Sequence, residues 1–248
     1  MLRGQVAVIT GANRGIGLAT VKAFAKEHAT VWACAREENK GFEDVIANIA
    51  MDNNCMVTPI YFDVSDVDAV KSAIKQIGSE SNRIDILVNN AGVSVEKLFN
   101  MVTTDTMRHT MEVNFLSQIQ LAQMVSRYMM KQKKGSIVNV ASVAGIESEQ
   151  GGLAYGSSKA AVVFATKTMA LELGQYGIRA NSVSPGFIDT DMWKNRNDEI
   201  REKILEETPL RRQGRPEEVA EVILFLASDK SSFITSQNIV VDGGRMGG

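Results

Sequence analysis

The chain has 248 residues, 44% of them hydrophobic, and a formal net charge of −2, enough apolar material for a large core and too little basic charge to favour nucleic acid or an anionic membrane. Cys34 and Cys55 lie in separate apolar segments without metal-ligand spacing, and His28 and His109 each stand apart in sequence from other candidate ligands. That argues against zinc sites, disulfide frameworks and histidine triads. No run of about 20 apolar residues and no leader-like start is present, so a cytoplasmic protein is expected. No linker, low-complexity tract or internal repeat divides the chain, so one domain over residues 1–248 is expected.

The first apolar run, residues 5–10, reads as a buried strand ending in Gly11-Ala12-Asn13-Arg14-Gly15-Ile16-Gly17, and helical periodicity follows over 18–26. A strand, a glycine turn and a helix start make an anion site, because free backbone N–H groups and the helix dipole converge there. A dinucleotide pocket is the expectation. The second strand, 30–35, ends at Arg36, where a Rossmann unit meets the adenosine ribose. An acidic residue here would bind the ribose 2′-hydroxyl. Arg36, with Arg14 opposite, instead offers charge-assisted bonds to a 2′-phosphate, so NADPH is expected in preference to NADH. Surface pairing of Arg36 with Glu37 or Glu38 is the competing reading.

A helix around 42–49 and a strand over 57–62 lead to Asp63-Val64 at a strand's carboxyl end. Ser65 and Asp68 read as the N-cap and box partner of the next helix. Strand 85–88 ends in Asn89-Asn90-Ala91-Gly92, whose small residues admit a flat ligand and whose amides can tie neighbouring strands. A helical pattern over about 105–130 contains Asn114 and closes on Lys131, Lys133 and Lys134, cations suited to a helix C-terminus.

Strand 136–140 leads to Ser142, which has no histidine base nearby in sequence and so does not read as a nucleophile; its hydroxyl can donate to a carbonyl oxygen as negative charge builds there. Tyr155 and Lys159 are spaced i, i+4 near the start of a helix reaching about 176. That spacing puts an ammonium one turn from a phenol on one face, favouring the ionised phenol. The helix is apolar on more than one side and needs a second partner beyond its own sheet. Strand 178–183 precedes Ser184-Pro185-Gly186-Phe187-Ile188-Asp189-Thr190. Polar, charged sequence then surrounds Trp193, Ile200, Ile204 and Leu205, the composition of a substrate lid around 189–215. An amphipathic helix over 216–227, a strand over 237–241 and Asp242-Gly243-Gly244 complete the pattern.

Thr10-Gly11-x-x-x-Gly15-Ile16-Gly17, Asn89-Asn90-Ala91-Gly92 and the ordered set Asn114, Ser142, Tyr155 and Lys159 resemble the short-chain dehydrogenases/reductases over essentially the whole chain. The C-terminal Asp-Gly-Gly resembles the 3-oxoacyl-acyl-carrier-protein-reductase-like branch. Strand-helix alternation argues an α/β, three-layer, doubly wound sheet, and the resemblance implies about seven parallel strands in the order 3-2-1-4-5-6-7. It also implies a catalytic set: Tyr155 as proton donor, Lys159 lowering its pKa and holding the nicotinamide ribose, Ser142 steadying the substrate oxygen, and Asn114 kinking its helix and holding a water on the proton path.

Cofactor contacts implied by the resemblance begin with Gly11, Asn13, Arg14, Gly15, Ile16 and Gly17 in the turn and Arg36 at the ribose. Asp63 and Val64 follow at the adenine, then Asn90, Ala91 and Gly92. Tyr155 and Lys159 serve again here, beside Pro185, Gly186, Ile188 and Thr190, the last two at the carboxamide. The implied activity is NADPH-dependent reduction of a carbonyl, with a 3-oxoacyl thioester of fatty acid biosynthesis first and a sugar, polyol or small ketone second. A nucleotide-binding regulator without turnover is a third reading, opposed by the intact catalytic set. The implied partner for the long helix is its counterpart in another subunit of a homotetramer or homodimer. The lysines at 131–134 would suit an acidic carrier, but Gln175-Tyr176 stand where that branch wants a basic residue, and Glu147 and Glu149 also oppose it.

Overall fold

The computed structural model describes residues 1–191 and 198–247. Short Val-, Ile- and Ala-rich runs form β1 (Val6–Thr10), β2 (Thr30–Ala35), β3 (Val57–Tyr61), β4 (Ile86–Asn89), β5 (Gly135–Val140), β6 (Ile178–Pro185) and β7 (Asn238–Val241). They pair in parallel in the order β3-β2-β1-β4-β5-β6-β7. Every residue of β1, β4 and β5 is buried, as continuous apolar runs require when helices cover both faces of a sheet. Pro59, which cannot donate to a ladder, lies on the edge strand β3.

Strand alternation divides the core in two. Ala7, Ile9, Ile86, Val88 and Val138 face one cluster with α1 (Gly15–Lys26), α2 (Lys40–Asn53) and α8 (Pro216–Ala227). Val6, Val8, Leu87 and Ile137 face the other, with α3 (Val67–Ser81), α5 (Ser117–Gln132) and α6 (Leu153–Leu173). Two further helices, α4 (Thr104–Met111) and α7 (Asp198–Glu207), stand at the carboxyl ends of the strands beside the crevice. Strand order reverses between β1 and β4, and this switch point is where an open α/β sheet leaves a crevice. Among the described residues no helix is long and apolar enough to cross a membrane.

Local detail departs from expectation in places. The N-cap of α3 is Asp66, whose carboxylate accepts from the Asp68 and Ala69 amides; Ser65 is instead committed to Asp63. The expected helical run around Asn114 is present over Thr104–Gln132, with a π-helical turn, Glu112–Leu116, between α4 and α5. Lys133 adopts a left-handed cap conformation (φ 53°), and the Lys134 ammonium pairs with Asp229 at 2.9 Å instead of the helix end.

Candidate active site

The crevice at the switch point encloses about 1110 Å³, above the ~300–1,000 Å³ usual for small-ligand pockets. The glycine turn forms its floor. Gly11 has φ 63°, and a Cβ on Gly17 would stand 2.1 Å from the Gly11 carbonyl oxygen and 2.6 Å from Asn90 Nδ2, so the turn closes this tightly only with glycine there. The N-cap of α1, Arg14, is extended and makes no side-chain cap, and Gly15 and Ile16 of the first turn line the crevice. A helix start without a side-chain cap, facing a cavity, is a phosphate cradle. The residues present therefore fit a dinucleotide.

Two polar networks hold this floor in place. Asn90 Nδ2 donates to the carbonyls of Thr10 (3.0 Å) and Gly11 (3.1 Å), while Thr10 Oγ1 accepts from the Asn90 and Ala91 amides at 3.0 Å each. Asn89 Nδ2 donates to Asn139 Oδ1 at 2.9 Å, and Asn139 Nδ2 to Thr166 Oγ1 at 2.8 Å. The expected tying of strands by asparagine is thus present, but Asn139 and Thr166 were not foreseeable as its partners. Inside a strand and a helix they read as isolated polar residues, and only the sheet pairing brings them together.

At the adenosine end, hydrogen bonds from the Ser65 hydroxyl (2.6 Å) and amide (2.8 Å) hold the Asp63 carboxyl below its ordinary range; partial burial opposes them, and Arg36 and His109 add smaller attractions. Arg36 donates to Glu37 at 3.2 Å and Arg14 to Asp191 at 3.3 Å, both pairs exposed. Exposed pairs of this kind contribute ~0–1 kcal/mol, so neither arginine is strongly withheld from a phosphate.

At the other end, β5 delivers Ser142 and the first turns of α6 deliver Tyr155 and Lys159. Ser142 Oγ accepts from the Ala144 amide at 3.2 Å and also bonds the Tyr155 phenol. Lys159 Nζ donates to the Val140 carbonyl at 2.8 Å and lies 5.9 Å from the centre of the Tyr155 ring. Asn114 is fully buried; it exchanges bonds with the Val93 amide and carbonyl and donates to Ser158 Oγ. A Cβ on Gly92 would lie 3.1 Å from Asn114 Oδ1 and 3.5 Å from Lys159 Nζ, which marks where asparagine and lysine converge.

The electrostatics differ from expectation in one respect. Burial raises the Tyr155 phenol; the Ser142 hydrogen bond opposes this and the Glu149 charge adds to it. Burial outweighs any lowering by the Lys159 charge, which lies over the ring face and is bonded to the Val140 carbonyl. Burial also pushes Lys159 down to about 8. Between about 8 and the ordinary 10.5 the unfolded chain holds more protons at this lysine than the folded chain does, so stability rises with pH across that window. Denaturant unfolding of the cofactor-free protein at about pH 7.5 and about pH 9.5 is expected to show a gain of about 2 kcal/mol that Lys159→Met lacks. Equal pH dependence in both proteins would refute this.

The predicted contacts Gly11, Asn13, Arg14, Gly15, Ile16, Arg36, Asp63 and Val64 line the crevice, as do Asn90, Ala91, Gly92, Ser142, Tyr155, Lys159, Pro185, Gly186, Ile188 and Thr190. Gly17 and Asn114 lie behind its wall and shape it. Thr190 Cγ2 is 3.3 Å from a Cβ position on Gly15, so the segment after β6 closes against the glycine turn. Trp193 falls outside the described residues. Glu96, His109, Glu149 and Arg245 also line the crevice. Nothing in their local sequence singles out Glu96 or Arg245, which arrive by folding alone.

A family model described as Enoyl-(Acyl carrier protein) reductase matches residues 11–245. The chain is 44% identical over 243 residues to the 3-oxoacyl-(acyl-carrier-protein) reductase FabG of Thermotoga maritima, and 37% identical over 243 residues to that of Vibrio harveyi, with 98% of each chain covered in both cases. A solved gluconate 5-dehydrogenase from Burkholderia cenocepacia, in complex with NADP and tartrate, superposes with a TM-score of 0.94 at 31% identity, covering 100% of this chain and 97% of that one. With its seven-stranded parallel sheet and its motifs in order, the chain belongs to the short-chain dehydrogenase/reductase family of oxidoreductases.

Proposed function

We propose that the protein is an NADPH-dependent reductase of 3-oxoacyl thioesters held on an acyl carrier protein. The observation that carries the chemistry is the convergence of Ser142, Tyr155 and Lys159 at one end of a dinucleotide-shaped crevice, and the thioester assignment draws on the named reductases among the relatives. When bound, the cofactor supplies hydride to the carbonyl carbon. Tyr155 gives its phenolic proton to the carbonyl oxygen, and its raised pKa keeps that proton in place until charge develops. Ser142 steadies the same oxygen by hydrogen bonding. Lys159, still cationic at neutral pH, holds the nicotinamide ribose and stabilises the phenolate left behind. In this reading Asn114, in the π-helical turn and converging with Lys159 at Gly92, holds a water that links the lysine to solvent.

Arg36, with Arg14, reads the ribose 2′-phosphate. Arg36→Asp is expected to weaken NADPH by roughly 10–100-fold, the scale of a lost charge-assisted bond, while sparing or improving NADH; cofactor KM values in both proteins check it. Residues 1–248 act as one domain, with a substrate lid over 189–215 whose ends meet at the Ile188–Gly214 bridge. Phe164 and Leu171 on α6 are 74% and 79% exposed, and covering them is a reason to assemble as a homotetramer or homodimer in the cytoplasm. The relation to a solved gluconate 5-dehydrogenase keeps reduction of a sugar or other small ketone as the second reading. Loss of reduced-cofactor absorbance, with NADPH and NADH in parallel, tests both. Rapid NADPH-specific turnover of an acetoacetyl thioester supports the first; turnover of keto-sugars or free ketones alone supports the second.

A further inference from the structure

The last turn of α7 carries Glu206 and Glu207 and no basic residue, which puts two carboxylates at the negative end of the helix dipole. Cations reach this end from outside the helix. Arg211 donates to the Glu206 carbonyl, and Arg245 donates through Nε and Nη2 to Glu207 at 3.2 and 3.1 Å. Lys203, one turn earlier on α7, stands 3.9 Å from the same carboxylate. Arg245 belongs to the turn after β7, where Asp242 accepts from the Gly244 and Met246 amides at 2.8 Å each, and its charge also acts on Glu149 in the loop before α6. This turn packs on the chain leaving α7: the Leu210 amide donates to the Gly243 carbonyl at 3.2 Å, and a Cβ on Gly243 would stand 2.8 Å from Thr208 Cγ2. The Gly186 amide, in the crevice wall, donates to the Val241 carbonyl at 3.0 Å. Through Arg245, the end of α7 is fixed to the turn that backs the crevice.

Among the described residues of α7, Ile204 alone lines the crevice. Its side chain offers a substrate no hydrogen bond, while Ser142 and Tyr155 serve the carbonyl oxygen, so what it can read is hydrocarbon beyond the carbonyl. We propose that Ile204 is a specificity-determining residue that packs against the acyl chain of the substrate, and that Arg245 is the residue positioning it, acting through Glu207. The inference rests on the reading that Tyr155 protonates a ketone in this crevice, and it deepens that reading. Chains of CH2 groups are favoured; polyhydroxylated chains, whose hydroxyls would lose water against Ile204 without gaining a partner, are not.

The test is a matched pair, ethyl 3-oxohexanoate and ethyl acetoacetate, with kcat and KM measured for each and kcat/KM compared as a long-to-short ratio. Ile204→Ala is expected to lower the ratio about tenfold. The Arg245 and Glu207 side chains are 26% and 42% exposed, so Arg245→Gln and Glu207→Ala should each lower it by only about threefold, through KM for the longer ester. Glu207→Ala leaves the Arg245 charge beside Glu149 in place, and the two changes together should do no more than either alone. Arg245→Glu combined with Glu207→Arg should restore the ratio, and Lys203→Gln, which spares the tie to the turn, should leave it unchanged. An unchanged ratio in Ile204→Ala or in Arg245→Gln overturns the proposal, as does an equal fall in Lys203→Gln or a reversed pair that restores nothing. Wild-type turnover of both esters with an unaltered ratio in the variants would sink this inference alone. Absence of any ketone turnover in the wild type would overturn the reading beneath it as well.

Discussion

Tyr155→Phe is expected to lower kcat by about 10²–10⁴-fold, the usual contribution of a placed general acid, with cofactor affinity changed little. The substitution removes one oxygen and keeps the ring that fills the wall above Lys159. The lost bond is the one to Ser142, whose hydroxyl remains served by the Ala144 amide at 3.2 Å, so the fold should lose no more than ~1 kcal/mol. Single-turnover rates with NADPH, beside a fluorescence titration of cofactor binding, separate the two effects. Preserved turnover would remove Tyr155 as the proton donor. Loss of turnover with intact binding would exclude a nucleotide-binding regulator, which has no use for that hydroxyl.

Gly17→Ala should be comparably damaging by a different route. The added Cβ would meet the Gly11 carbonyl oxygen at 2.1 Å and Asn90 Nδ2 at 2.6 Å. Neither neighbour yields cheaply: Gly11 is backbone at φ 63°, and the Asn90 amide is bonded to two carbonyls. Opening the turn costs ~1–3 kcal/mol of stability. It also moves the α1 amides off the phosphates, so cofactor affinity should fall by roughly 100-fold, with charge-assisted bonds at ~1.5–3 kcal/mol each. Gly174→Ala is the control, since its Cβ would meet nothing within 4 Å. If Gly17→Ala bound cofactor as tightly as Gly174→Ala, the turn would not be the phosphate cradle.

Much of this architecture was legible because one physical signal dominates each element. Runs such as Val6-Ala7-Val8-Ile9 can only be strands buried on both faces, and the span of α8 matched its proline start and apolar stripe residue for residue. What escaped depended on competition or on distance. Ser65 and Asp66 are both good caps, and the choice between them turned on Asp63 claiming the serine. The π-helical turn at Asn114 leaves helical periodicity nearly unchanged on either side. The upward shift of Tyr155 reflects burial, which the Tyr-x-x-x-Lys spacing does not encode. Arg245, Glu207 and Glu149 meet only because the C-terminal turn returns to the crevice mouth.

The amide chain from Asn89 through Asn139 to Thr166 has a consequence for how this scaffold can change. It pins the middle of α6 to the sheet by directional bonds between buried groups, and a slide or rotation of the helix would strand an amide away from water. The position of Tyr155 and Lys159 is thereby set from behind, through the strands, as well as by Ala144 and Gly145 packed close against the helix in front. The outer part of the loop, residues 147–151, can be rewritten to suit a new substrate while Ser142 and the proton-transfer apparatus stay in place.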